Sequence, residues 1–213
     1  MQGVANMLIR PKRAVYSSLE LGARRFSIRN RRYVRKDIHI LNDRNQRLRC
    51  SHYMPEETYT VRIPCIIICH GNCGNRLDAI DIVEMLLPHD ISVLSLDFSG
   101  SGLSEGEYVS LGYFEHKDIS SVVEYLWRTE KISAIGLWGR SMGAVAALLY
   151  AARDPGISLV IADSPFSSLR ELCIDILKQY LVTVIQRLPR AISNFLITKL
   201  KKIVHEKAGF DIE

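Results

Sequence analysis

The chain has 213 residues, 47% of them hydrophobic and 24% charged, with a formal net charge of +5. That length and balance fit one globular domain with a sizeable core. The charge is uneven: residues 1–36 hold ten Lys/Arg and one acid, Glu20, and the remainder holds 18 basic and 22 acidic residues, so a basic arm precedes a mildly acidic body and the pattern does not point to a nucleic-acid-binding domain.

The five cysteines, Cys50, Cys65, Cys69, Cys73 and Cys173, have neither zinc spacing nor the density of a disulfide scaffold. Free thiols suit a reducing compartment. No run of about 18 apolar residues predicts a transmembrane helix, and no signal-peptide core opens the chain. Gln2 stands where N-myristoylation requires glycine. The expected location is the cytoplasm, with or without membrane association, and the mitochondrion is the alternative. No metal or organic cofactor is implied.

Residues 1–32 form the basic arm, with Arg10, Lys12, Arg13, Arg24, Arg25, Arg29, Arg31 and Arg32. It reads as a solvated arm packed loosely on the domain, as a peripheral contact for an anionic membrane face, or as an Arg-rich transit segment. Tyr33 to Leu41 alternates apolar and polar residues and predicts a strand. Asn42-Asp43-Arg44-Asn45 is turn chemistry, and Leu48 to Tyr53 is the return strand. A loop around Pro55 runs from Met54 to Tyr59.

Pro64 to Cys69 is a continuous apolar run, the mark of a strand buried on both faces of a parallel sheet. It leads into His70-Gly-Asn-Cys-Gly-Asn75. Leu77 to Leu87 has helical spacing, and Pro88 closes it. Ile91 to Leu96 is the next strand, followed by Asp97-Phe-Ser-Gly-Ser-Gly-Leu-Ser104. Leu111 to Arg128 predicts a helix. Ala134 to Trp138 is a strand, Gly139-Arg-Ser-Met-Gly143 a sharp turn, and Ser141 to Arg153 a small-residue helix. Leu159 to Ala162 is one more strand, leading to Asp163-Ser-Pro-Phe166.

Strands alternating with helices imply βαβ units with right-handed crossovers and a parallel sheet covered by helices. Sites in such sheets lie at the carboxyl ends of the strands. The three motif loops, 70–75, 97–104 and 139–143, all fall there. Gly-x-Ser-x-Gly between an apolar strand and an Ala-rich helix is a nucleophile elbow. The serine sits in a strained conformation at the tip, and Gly139 and Gly143 are small so that strand and helix can approach.

From Ser167 the pattern changes. Leu169, Leu172, Ile176, Tyr180, Val184 and Leu188 repeat at three and four residues, Pro189 interrupts, and Ile192, Phe195, Leu196, Leu200, Ile203 and Val204 repeat again. These spacings predict two amphipathic, cap-like helices over residues 167–213, beyond a core at 33–166.

The set His-Gly-Asn-x-Gly-Asn, Asp-x-Ser-Gly-x-Gly-x-Ser, Gly-Arg-Ser-Met-Gly and Asp-Ser-Pro-Phe resembles the α/β-hydrolase superfamily over about residues 33–213. Within it the chain is similar to the serine aminopeptidase-like hydrolases and to the α/β-hydrolase domain-containing depalmitoylases. The resemblance implies an α/β-hydrolase fold: a mostly parallel sheet with helices on both faces. It implies a serine hydrolase acting on an ester, thioester or amide through an acyl-enzyme on Ser141. It implies a small acyl, ester or peptide molecule as substrate. The backbone N–H of Met142 is then one oxyanion donor, and Asn72, or else Cys73, supplies the second. His70 with Gly71 is implied to be structural, and Asp97 to hold its loop by accepting backbone hydrogen bonds. Some hydrolases of this fold place the triad acid where Asp163 stands. The order Ser, Asp/Glu, His of such triads leaves the last two βα units, and with them the usual acid and histidine, outside this sequence; after Ser141 the one histidine is His205. The expectation is therefore a C-terminally truncated hydrolase. The alternative is a non-catalytic hydrolase fold that binds an acyl ligand, a membrane surface or a protein partner.

Overall fold

The computed structural model describes residues 9, 10, 12–57, 62–129, 131–180 and 190–209. Residues 1–8 of the basic arm, Tyr59 of the Pro55 loop, Val184, Leu188, Pro189 and residues 210–213 lie outside the described residues, as do the side chains of Ile176, Tyr180 and Ile192.

Seven strands form one sheet among these residues: β1 (Arg25–Ile28), β2 (Arg31–Leu41), β3 (Arg47–Pro55), β4 (Ile63–Cys69), β5 (Ser92–Asp97), β6 (Ile132–Arg140) and β7 (Ile157–Asp163), in the spatial order β1-β2-β3-β5-β4-β6-β7. The four strands β5-β4-β6-β7 pair in parallel, as the alternation of strands and helices predicts. The meander β1-β2-β3 pairs antiparallel and joins the sheet at β3–β5, so the whole is mixed rather than mostly parallel. Both patterns have the same cause. β4 reads as an apolar run and every residue of β5 is buried because both lie inside the sheet with packing on both faces, whereas β2 alternates because one of its faces meets water.

The helices are α1 (Ile80–Leu86), α2 (Glu115–Thr129), α3 (Met142–Ala151), α4 (Leu169–Tyr180) and α5 (Arg190–Ala208). Two helix starts differ from the sequence expectation. α1 begins after a 3-10 turn at Arg76–Ala79, where the Asn75 side chain accepts from the Leu77 N–H. α2 begins four residues later than its apolar spacing suggests. The buried Glu115 carboxylate accepts from the Ser110 hydroxyl and from the N–H groups of Ser110 and Gly112, which fixes residues 111–114 as turns. Nothing in the spacing of Leu111 and Phe114 announces this, because both still pack on the core.

The main core lies between the sheet and α2, α3 and α5, built on Ile67, Leu94, Leu96, Phe98, Leu126, Leu137, Leu200 and Val204. A smaller cluster on the opposite face joins Tyr33, Tyr53, Ile66, Ile68, Val83 and Val93. β7 is the outer strand among the described residues, and its Leu159 is 50% exposed. None of the described helices is long and apolar enough to cross a membrane.

One buried group sets a pH limit. His52 is 1% exposed, beside the Cys65 thiol, and burial followed by the nearby Lys36 charge pushes its imidazole down to about 3. As pH falls below the ordinary value near 6.5, the unfolded chain takes up a proton that the folded chain refuses. Stability from this group is therefore complete above about 6.5 and falls by about 1.4 kcal/mol per pH unit down to about 3. Burial lowers His70 in the same direction. Urea titrations between pH 6.5 and 4.5 should show a slope in wild type that His52→Phe reduces by that amount; identical slopes would overturn the assignment.

Candidate active site

β6 ends at Arg140 and α3 starts at Met142, so Ser141 alone makes the reversal. It sits at φ 51° and ψ −116°, a region L-residues avoid at a cost of about 1–3 kcal/mol. Its N–H donates to the Asp163 carbonyl at the end of β7, 2.8 Å away, and this bond ties the turn to the neighbouring strand. The flanking glycines are there for space. A Cβ on Gly139 would strike the Gly143 carbonyl and come within 2.5 Å of the Ala144 nitrogen. A Cβ on Gly143 would strike the Cys69 carbonyl and approach the His70 oxygen to 2.6 Å. Gly143 thus lets α3 lie directly against the end of β4.

That close approach brings the 70–75 loop to the serine. A Cβ built on Gly71 would lie 3.6 Å from the Arg140 oxygen and 3.9 Å from Ser141 Cβ, so Gly71 faces the elbow and Asn72 follows it. The Gly74 N–H donates to the Gly71 carbonyl, closing the loop into a tight turn. Asn72 Oδ1 is buried and has no hydrogen-bond partner among the described residues. Met142 is fully buried at the first position of α3, where backbone N–H groups have no intrahelical acceptor.

His70 is buried beneath this loop. Its Nδ1 donates to the Gly71 carbonyl at 2.7 Å, and its Nε2 accepts the Phe98 N–H at 3.0 Å. A carbonyl can only accept and an amide N–H can only donate, so the proton stays on Nδ1 and the ring is neutral. Burial holds its pKa below the ordinary value. Both nitrogens are committed to backbone, which leaves His70 no free lone pair for a proton from Ser141. Among the described residues no histidine hydrogen-bonds the Ser141 hydroxyl. His116 bonds Gly112 and Arg153, and His205 lies exposed on α5.

Asp97 is fully buried and accepts four donors. Its Oδ1 takes the Arg76 N–H (2.8 Å), and its Oδ2 takes the Tyr16 hydroxyl (2.6 Å), the Leu103 N–H (2.9 Å) and the Arg76 Nε (3.3 Å). A Cβ on Gly102 would overlap the same carboxyl group, so Gly102 makes room for Asp97 to reach its loop. Asp163 stands half exposed at the end of β7, with Ser164 Oγ at 2.7 Å and Arg140 Nε at 3.6 Å.

Three participants escaped the sequence reading. Arg76 is 4% exposed and also donates to Ser51 Oγ and the Cys50 carbonyl. Tyr16 and Arg13 come from the basic arm. Arg13 donates to the Ser104 and Gly106 carbonyls, and the Val109 N–H donates to the Ile9 carbonyl. The described part of the arm is therefore fastened to the 97–110 segment and, through β1, to the sheet, in place of the loose solvated arm expected. A single Arg or Tyr carries no periodic signal, and their partners lie 21 and 81 residues away. No three His, Cys, Asp or Glu side chains converge as metal ligands among the described residues.

The comparisons with known proteins agree with this architecture. The profile of the family described as serine aminopeptidase, S33, matches residues 62–208. The uncharacterized protein YqkD of Bacillus subtilis (strain 168) is 36% identical over 141 residues, which are 65% of this chain and 43% of that protein. Human monoglyceride lipase is 29% identical over 120 residues, 55% of this chain and 39% of the lipase. The chain thus spans less than half the length of these relatives. Among solved structures, the Pyrococcus furiosus esterase Pf2001 superposes with a TM-score of 0.56 at 29% identity, over 62% of this chain and 52% of the esterase. The match covers the elbow, both loops beside it and the helices beyond, and the chain belongs to the serine aminopeptidase S33 family of α/β-hydrolases.

Proposed function

We propose that this protein is a serine hydrolase that cleaves an ester, thioester or amide through an acyl-enzyme on Ser141. The observation that carries the reading is the Ser141 backbone, held at positive φ at the tip of the β6–α3 turn with Gly71 against it. A serine kept in such a conformation by two glycine contacts and a bond to the next strand has its hydroxyl presented to a substrate. In the proposed reaction Ser141 Oγ attacks the carbonyl carbon as a base takes its proton. The Met142 and Asn72 amide N–H groups hold the oxyanion, the leaving group departs with a proton, and water then releases the acyl group. One such donor is typically worth about 100- to 1000-fold in rate. The esterase and lipase among the relatives favour an ester. The base is not His70.

That assignment has a direct test. The purified 213-residue chain should react slowly with a fluorophosphonate probe, and added imidazole should accelerate the reaction at least about tenfold by supplying a base, since no histidine of the described residues bonds the Ser141 hydroxyl. Ser141→Ala should remain unlabelled under both conditions. A folded wild-type chain that stays unlabelled in imidazole would sink the reading.

A further inference from the structure

Residues 70–76 leave β4, pass Ser141 and enter the 3-10 turn that precedes α1. They are gripped at both ends by two consecutive residues at the carboxyl end of β5. At the start, the Phe98 N–H donates to His70 Nε2. At the end, the Asp97 carboxylate accepts the Arg76 N–H. The Asn72 amide therefore sits on a span whose two ends are set by Asp97 and Phe98. What sets Asp97 lies elsewhere again. The Tyr16 hydroxyl donates to Asp97 Oδ2 and accepts from Arg76 Nε at 2.8 Å, so one phenol bridges the two loops.

Tyr16 is itself delivered by a rigid strap. Ser17 and Glu20 form a capping box at the 3-10 turn Ser18–Leu21, and Leu21 is buried. Arg35 reaches back from β2 to the Gly22 carbonyl. On the other side of Tyr16, Arg13 and Ile9 are bonded to Ser104, Gly106 and Val109 of the loop that Asp97 begins. A hydroxyl donating to one partner and accepting from the other orients both, which an apolar ring of the same shape would not do.

We propose that Tyr16, carried by the segment 12–22, is a positioning residue for the candidate oxyanion loop: it fixes Asp97 against Arg76 and thereby the loop on which the Asn72 amide follows Gly71 past Ser141. This deepens the serine-hydrolase reading and rests on it for its chemical consequence, but the structural claim stands on the hydrogen bonds alone.

Tyr16→Phe removes only the hydroxyl and keeps the ring over the Arg76 guanidinium. In this variant, amide hydrogen exchange should speed up about tenfold in peptides covering 70–76 and 98–104, with β6 and α3 unchanged. Fluorophosphonate labelling in imidazole should show a lower maximal rate of inactivation, by about three- to tenfold, at an unchanged half-saturating probe concentration. A misplaced oxyanion donor lowers the rate of attack without weakening the encounter. Val15→Ala, an exposed neighbour on the same strap, should leave both readouts at wild-type values. Unchanged exchange in Tyr16→Phe would overturn the proposal, and so would faster exchange throughout the chain or faster loop exchange with unaltered labelling. If wild type itself resists labelling, the hydrolase reading fails, and local exchange still decides whether Tyr16 holds the loop.

Discussion

Gly143→Ala should be among the most damaging single-methyl additions in this chain, lowering stability by about 4 kcal/mol or more and the melting temperature by on the order of 10 °C. The added Cβ would overlap the Cys69 carbonyl and lie 2.6 Å from the His70 oxygen, both main-chain atoms at the end of β4. Ordinary overpacking costs about 1–3 kcal/mol because side chains can turn aside. Here nothing turns aside. Relief requires α3 to move away from β4, and α3 carries Met142, Ala146 and Ala147 in the main core. The same movement would pull Ser141 away from Gly71, so labelling should fail even where the variant folds at low temperature. Ser141→Ala adds no atom and should melt within about 2 °C of wild type. Thermal unfolding of the two variants side by side checks this. A Gly143→Ala chain as stable as Ser141→Ala would mean that strand and helix do not touch at this point.

The contrast between those two positions shows why the elbow was legible in the sequence. Gly139, Ser141 and Gly143 are close in the chain, and the physical demand on them is local: one strained turn, one strand, one helix. The parallel pairing was legible for a related reason, since strands alternate with helices along this part of the chain and β4 is an almost unbroken apolar run. β1 was not legible. It is four residues long, half exposed, and sits among arginines whose charges suggest solvent. Its pairing to β2 comes from register with Tyr33 and Val34 rather than from any pattern of its own. The start of α2 was hidden because Glu115 reads as a surface acid and is in fact a buried cap for the turn before it. The grip on the 70–76 loop was invisible for the most general reason: it is made by single polar residues distant in sequence, and only the fold brings them together.

Arg76 is the residue on which that long-range grip converges, and Arg76→Met should cost about 3–5 kcal/mol, the usual penalty for stranding one member of a buried ion pair. Methionine fills similar volume and keeps the stem, so the loss reports the guanidinium. Without it the fully buried Asp97 keeps two backbone N–H groups and the Tyr16 hydroxyl but faces no cation. Ser51 Oγ and the Cys50 carbonyl lose their donor as well. Asp37, 3.9 Å from the same guanidinium, keeps its own bonds to Arg35 and Ser51, so the β2–β3 pairing should survive. The damage should therefore be concentrated where β5 and α1 meet. A double-mutant cycle with Asp97→Asn separates the pair from its surroundings. If the charges interact as the distances imply, the double variant should be at least about 1 kcal/mol more stable than the sum of the single losses predicts, because the second substitution removes the charge that the first one strands. Additivity within about 0.5 kcal/mol would mean that Arg76 acts through packing, and that the 70–76 loop is held by its backbone bonds without help from the ion pair.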